Sequence, residues 1–487
     1  MKLRKSRNPN IITVFPSRFS PLLTMALGIG VLLQAPVVLR ADVTISGGTV
    51  GGPQTGDGGT FTVTSTGEID STGEGIVATG TTITALTVDG IVGAFSNGLN
   101  INGGATLPSI GIAGSVGGGF VAVLNSGTVG SLTTVPGGQI TAGGGTGIKN
   151  EGTFTGTILN GGSLIGYGSA LHNLSGGQIF AFTNTGSASA GEAVRNAGNI
   201  TTLTNQAGGS LSGAVFGVLV EASGTIGTLT NAGAMSGYHG LHSSGAITTL
   251  DNSGTINGAP QGVALAGTAS LGTFTNSGTV TGGDQAMRAN PGTTIGTLTN
   301  SGTFTGYNGI MSNAVTGTIT NLAGGTIAGS GGTGLRQFAA LTLLENAGTI
   351  SSGGRAIETA ADIGTIDNKT GGVIQGGRGL FLSDSTKTVT TILNNGTIEG
   401  INAIENYGAV TTLTNNAAIT GTSGWGIYHG ASSTIGTLTN AAAGTISGYN
   451  GIGLYGAAGT VDNAGTIQAN GGNAVRMDSS GSVNLFS

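Results

Sequence analysis

The residues of this chain best suited to chemistry are its few cations, because of where they recur. Lys149, Arg195, Arg288, Arg336 and Arg476 each directly follow an apolar residue that itself follows Gly or Ala. Arg355 and Arg378 sit just before that small residue, and His172, His242, Glu358, Glu405, Phe381 and Tyr428 occupy the same places in other repeats. Guanidinium groups gathered on one edge present planar forks to acidic partners. Arg288, Arg336, Arg355, Glu358 and Arg378 are therefore the candidate binding residues, for an anionic glycan or a host protein. The plainer reading of the same charges is a solvated face that keeps sheets from stacking.

Other constellations are weaker. Glu345 and Asp367 hold the same place in consecutive repeats, and two stacked carboxylates suit calcium or glycosidase chemistry. No third acid or base joins them, and Lys369 stands next to Asp367 to neutralise the pair. His239 and His242 in GYHGLH resemble a metal pair, but GYNGIM at 306–311 and GYNGIG at 448–453 put Asn, Met and Gly in those places. No further ligand is in view, so structural roles are expected. Outward Thr pairs such as Thr228/Thr230, Thr297/Thr299 and Thr437/Thr439 invite an ice-binding reading. Ordinary strand propensity explains them equally well. The chain has 0 Cys, which excludes disulfides, thiolate metal sites and Cys nucleophiles. No phosphate-binding loop or catalytic triad is visible. No catalytic residue, metal or cofactor is expected.

The elements that would position these side chains come from two repeating landmarks. An Asn recurs two places after an apolar residue, every 21 to 26 residues, from Asn160 to Asn463. The column includes Asn231, Asn252, Asn276, Asn300, Asn321 and Asn346. The second landmark is the small–apolar dipeptide, from Gly75-Ile76 to Ala474-Val475, with a mean step of about 23.5 residues. A period of this length means a solenoid, in which each repeat buries its apolar face against its neighbours.

One repeat reads plainly at residues 286–305. A short strand from Ala286 to Arg288 leads through a turn to a strand from Thr294 to Thr299, an Asn-Ser-Gly corner and a strand from Thr303 to Thr305. Alternation turns Leu298 and Phe304 inward and the flanking Thr outward. The corner has a short form, Asn252 to Ile256, and a form two residues longer, Asn321 to Ile327. Two extra residues preserve inward–outward parity. Stacked Asn amides can each donate to one neighbour, accept from the other and satisfy corner backbone groups. The expected fold is all-β: a single-stranded parallel β-helix of about 18 coils, three short strands per coil, roughly 85 Å long at the usual strand spacing. Coils in 42–146 should be less regular, 147–473 should carry the Asn ladder, and 474–487 should be an incomplete terminal coil.

The N-terminus is different in character. Residues 1–41 hold six of the 15 cations and no acid, before an apolar run from Leu22 to Leu39. This is the pattern of an export signal, with cleavage expected after Ala41. Residues 42–487 then keep nine cations against 20 acids, a net charge of −11, which excludes nucleic acid as a natural partner.

Tandem coils built from G-T-I-G-T-L-T-N-S-G-T, behind a long basic signal, resemble the passenger domain of a bacterial autotransporter over residues 42–487. The resemblance implies a parallel β-helix exposed on a Gram-negative cell surface or secreted, often as an adhesin. It implies contact with the membrane only during export, through a C-terminal β-barrel that residues 42–487 do not contain. The expected function is therefore a structural or adhesive surface rod that binds host cells, matrix protein or glycan. Self-association is also expected, through the incomplete final coil ending at Asn484-Leu485-Phe486-Ser487. The alternatives are a polysaccharide-acting enzyme and an ice-binding solenoid.

Overall fold

A computed structural model describes residues 13–15, 42–51, 53–56, 58–80, 83–478 and 481–487. The expected export signal and its cleavage site lie outside these, apart from the strand Thr13–Phe15. The described residues contain strands and turns and no helix. They form two compact units, one of residues up to 204 with 209–212, the other of 205–208 and 213–487. Each is a parallel β-solenoid, and together they hold about 18 turns. In the first unit Thr128–Thr134 lies parallel between Thr106–Ile112 and Thr153–Asn160. In the second, Thr294–Asn300 lies parallel between Ser270–Asn276 and Val315–Asn321.

The repeat at 286–305 has its three strands where the pattern puts them, at Gln285–Ala289, Thr294–Asn300 and Thr303–Gly306. Leu298 and Phe304 are buried, with Thr297 and Thr299 half-exposed. Simple alternation misses Ile295, which is buried only three residues before Leu298. The strand bends at Gly296, so that Gly296 and Thr297 both face out. A Cβ at Gly296 would stand 2.4 Å from the carbonyl oxygen of Gly272 in the coil before, so glycine suits this coil, although Thr248 and Thr411 hold the same place in others.

The asparagine column is a buried amide ladder. In the second unit each Nδ2 donates to the Oδ1 of the next asparagine, from Asn231 to Asn252 at 2.8 Å, Asn276 at 2.7 Å and Asn300 at 2.9 Å. The run continues to Asn321 and Asn346 at 2.8 Å each, and ends in Asn463. The same Nδ2 also meets backbone carbonyls: Asn321 reaches its own corner at Gly325 O (3.1 Å) and the next coil at Thr349 O (3.2 Å). One amide thus ties a corner to itself and to its neighbour, which a hydroxyl with a single hydrogen cannot do.

In the first unit this column starts at Asn160, as its spacing predicts. The stacked positions before it are Ile45, Val63, Val88, Ile112 and Thr134. A second ladder, not foreseen from sequence, runs through Asn125, Asn150, Asn173 and Asn196 at 2.7 to 2.8 Å. It sits two places after the apolar residue of the small–apolar landmark. In the second unit that place passes among Ser243, Leu265, Ala289, Ser312 and Gln337, and so shows no single residue type to count.

The two corner forms need glycine for different physical reasons. In the short corner a Cβ at Gly254 would lie 2.1 Å from Gly233 O of the preceding coil, so close approach of backbone excludes any side chain. In the long corner Gly324 has φ of +84° with open space around it, so only the left-handed conformation selects glycine there. Positive φ thus accounts for Gly324, while Gly325 beside it is like Gly254, its Cβ position lying 2.5 Å from Asn300 O.

Gly254→Ala should therefore destabilise the second unit by about 1–3 kcal/mol through overpacking, and Gly324→Ala by about 1 kcal/mol through backbone strain. Urea unfolding of the two variants checks the order, and equal losses would contradict it. At the start of the first ladder the Oγ1 of Thr134 and the Oδ1 of Asn160 are both buried without a hydrogen-bond partner. Thr134→Asn should add one rung and raise stability by about 1 kcal/mol; a loss of stability would show that this coil has no room for the amide.

Candidate functional site

Four stacked strands in the second unit carry the expected arginines: Thr333–Gln337, Thr349–Thr359, Val373–Leu382 and Asn402–Asn406. Their parallel register aligns Thr333, Arg355, Arg378 and Asn402 in one column and Arg336, Glu358, Phe381 and Glu405 in another. The small residue between the columns is set by interior crowding. A Cβ on Gly334 would stand 2.7 Å from Ala356 O and 3.2 Å from Ile350 Cγ2.

Glu358 belongs in sequence to the charged edge, but the structure buries it to 5% exposure beneath two arginines. Its Oε2 lies 3.1 Å from Arg336 Nε and 3.1 Å from Arg355 Nη1. Only the second contact is a well-aligned hydrogen bond, because the Arg336 Nε–H does not point at the oxygen. Glu405, 4% exposed, takes Arg378 Nε at 2.5 Å, Asn402 Nδ2 at 3.3 Å and the Tyr407 hydroxyl at 2.9 Å. Burial and this bond to a carboxylate push the Tyr407 hydroxyl up to about 12. A buried carboxylate without partners costs several kcal/mol, and supplying those partners is the first task of the three arginines. Their guanidinium planes also lie over rings, Arg336 over Phe338 at 4.2 Å, and Arg355 and Arg378 over Phe381 at 4.8 and 4.7 Å.

Above the buried acids the same arginines wall a groove of about 570 Å³. Tyr307, Asn308, Ile401 and Asn402 line it too, and its floor is glycine: Gly331, Gly332, Gly353, Gly354 and Gly377. No carboxylate lines it. The side chains of Arg336, Arg355 and Arg378 keep 32%, 36% and 38% exposure, so each guanidinium has donors left for a ligand.

The remaining cations of the expected edge are elsewhere. Arg288 is outside the groove and donates through Nε to Asn290 Oδ1 at 2.9 Å. Lys149 pairs with Glu151 at 2.7 Å and Arg195 with Glu192 at 3.6 Å, both in the first unit. The structure thus brings together Arg336, Arg355, Glu358 and Arg378 and leaves Arg288 out.

Glu345 and Asp367 do stand in register. Lys369 bridges them, with Nζ 3.0 Å from Glu345 Oε1 and 2.5 Å from Asp367 Oδ2, and the two acids hold its proton more firmly than usual. His239 and His242 lie 5.4 Å apart between rings, packed on Phe216 at 5.6 and 5.1 Å. Among the described residues no group of three or more His, Cys, Asp or Glu is placed to hold a metal ion. The outer Thr column is interrupted by Asp251, Glu345, Asp367 and Leu393.

The sequence reading missed a strip of rings that continues from the groove. Phe381, Tyr407, Tyr428 and Tyr455 follow one another at centroid distances of 5.9, 5.9 and 5.2 Å. Trp425 packs on Tyr428 at 6.0 Å and on Tyr455 at 5.9 Å. Its members come from three different places within the repeat, so no single spacing reveals them. Fold and site together define a parallel β-solenoid with an arginine-walled, glycine-floored groove. Compared with protein-family models, curated proteins and solved structures, the chain matches none.

Three histidines give a pH signature. Burial lowers the pKa of His239, His242 and fully buried His429 below the ordinary 6.5. His429 Nδ1 meets Ser433 Oγ at 2.6 Å, and its Nε2 faces Ala457 O at 3.1 Å. The native state binds these protons more weakly than the unfolded chain, so stability is full above pH 6.5 and falls as pH drops below it. His429 alone contributes a slope of up to about 1.4 kcal/mol per pH unit. Thermal unfolding between pH 7.5 and 5 should show the midpoint dropping, and His239→Asn with His242→Met should make the drop shallower; an unaltered profile would contradict this assignment.

Proposed function

We propose that this chain is an exported surface protein of the autotransporter-passenger kind, and that its work is adhesion rather than catalysis. The observation that carries this reading is the groove, where three arginines with donors to spare face solvent beside a run of glycines and no carboxylate lines the surface. Such a site recognises fixed anionic groups on a cell or matrix surface, glycan or protein. The net charge of −11 over residues 42–487 repels acidic partners elsewhere and favours attachment at this one place. A solenoid suits the role because register holds successive binding groups at fixed spacing without a cofactor. The enzyme alternative rested on Glu345 and Asp367, a pair that Lys369 bridges.

Simple Arg→Ala changes would strand the buried Glu358 or Glu405 and threaten the fold. The test therefore removes charge in matched sets: Arg336→Met, Arg355→Met and Glu358→Gln together, and Arg378→Met with Glu405→Gln. Purified protein is applied to cultured cells and to extracellular matrix, with circular dichroism to confirm the strands. Adhesion should fall at least tenfold when the sets are combined and remain unchanged in Arg288→Met. Equal adhesion by the combined variant would remove the groove from the function.

A further inference from the structure

Resting on that reading, we propose that the groove and the ring strip beside it form one site for an acidic polysaccharide, with acidic groups on the arginines and sugar rings stacked on the aromatics. The arginines recur coil by coil, since Arg355 and Arg378 are register partners. Stacked strands repeat every 4.8 Å or so, close to the length of one sugar unit in an extended chain. A ligand that meets the same group once per coil is itself a polymer with that repeat.

The chemistry of the two halves fits one such chain. Guanidinium forks match planar carboxylates and sulfates. Trp and Tyr offer an apolar face with a polar edge, as a pyranose ring does. Trp425 leans over a gap left by Gly453, where a Cβ would lie 2.7 Å from Trp425 Cζ3 and 2.9 Å from Tyr455 Cε2. The glycine therefore leaves room for the indole within the strip. Phe381 joins the halves, because it carries Arg355 and Arg378 on its ring and touches Tyr407 at 5.9 Å.

Trp425 is the 1 tryptophan of the chain, so its emission reports on the strip alone. Purified full-length protein is titrated with polygalacturonate, with neutral galactan as control, by fluorescence and by gel retardation. Polygalacturonate should shift Trp425 emission saturably, retard the protein and lose effect with added salt, and galactan should do none of these. Tyr428→Ser with Tyr455→Ser should weaken retardation at least tenfold with the salt dependence preserved. The matched arginine sets should flatten the salt dependence. Saturating retardation without a change in Trp425 emission, or equal binding of galactan, would overturn the proposal. If the arginine sets abolish adhesion to cells while polygalacturonate never binds, adhesion stands and the polysaccharide assignment falls. If neither responds to the arginines, both fall.

Discussion

The buried asparagine ladder is the interaction on which the coils from Asn160 onward depend. A solenoid coil has corners, and corners leave backbone groups that no strand partner can reach. Burying such groups unpaired costs about 1–3 kcal/mol each. One Asn side chain answers for the corner of its own coil and for the coil after it, as Asn321 does with Gly325, Thr349 and Asn346. Because each amide from Asn205 to Asn440 bonds the next, the ladder also sets register there. A coil slipped by one residue would turn Asn outward and Leu with it.

Register is what makes a site out of scattered residues. Arg336, Glu358, Phe381 and Glu405 are 22 to 24 residues apart in sequence and adjacent in space. The fold tolerates two buried carboxylates there because each is matched by arginine from its own or a neighbouring coil. The same guanidinium groups hold the acids from one side and face solvent on the other. Stability and recognition are thus coupled in three side chains, and charge removal has to respect both.

Much of the fold was legible in the sequence because a period survives substitution. Asn300 and Leu298 recur in place whether the corner is short or long, and parity alone places Phe304 inside. The second ladder was harder to read: Asn125, Asn150, Asn173 and Asn196 share a place that later passes to Ser243, Leu265 and Ala289. The bend at Gly296 was also hidden, since a glycine chosen for close approach looks the same in sequence as one chosen for positive φ.

At the candidate site the sequence showed that cations and acids share an edge, and register brings Arg336, Arg355, Glu358 and Arg378 into adjoining columns. It did not show depth. Exposure depends on which neighbour covers a side chain, and that neighbour lies a whole coil away. Glu358 reads as a surface charge until Arg336 and Arg355 are seen over it. Tyr407 and Tyr455 show no link to Tyr428 in the sequence, and the coils bring all three together. By itself the sequence determined the coil, its corners and its inward face, because those are local and repeated. The groove, its glycine floor and the ring strip were decided by tertiary structure, because they arise from differences between coils, and differences have no period.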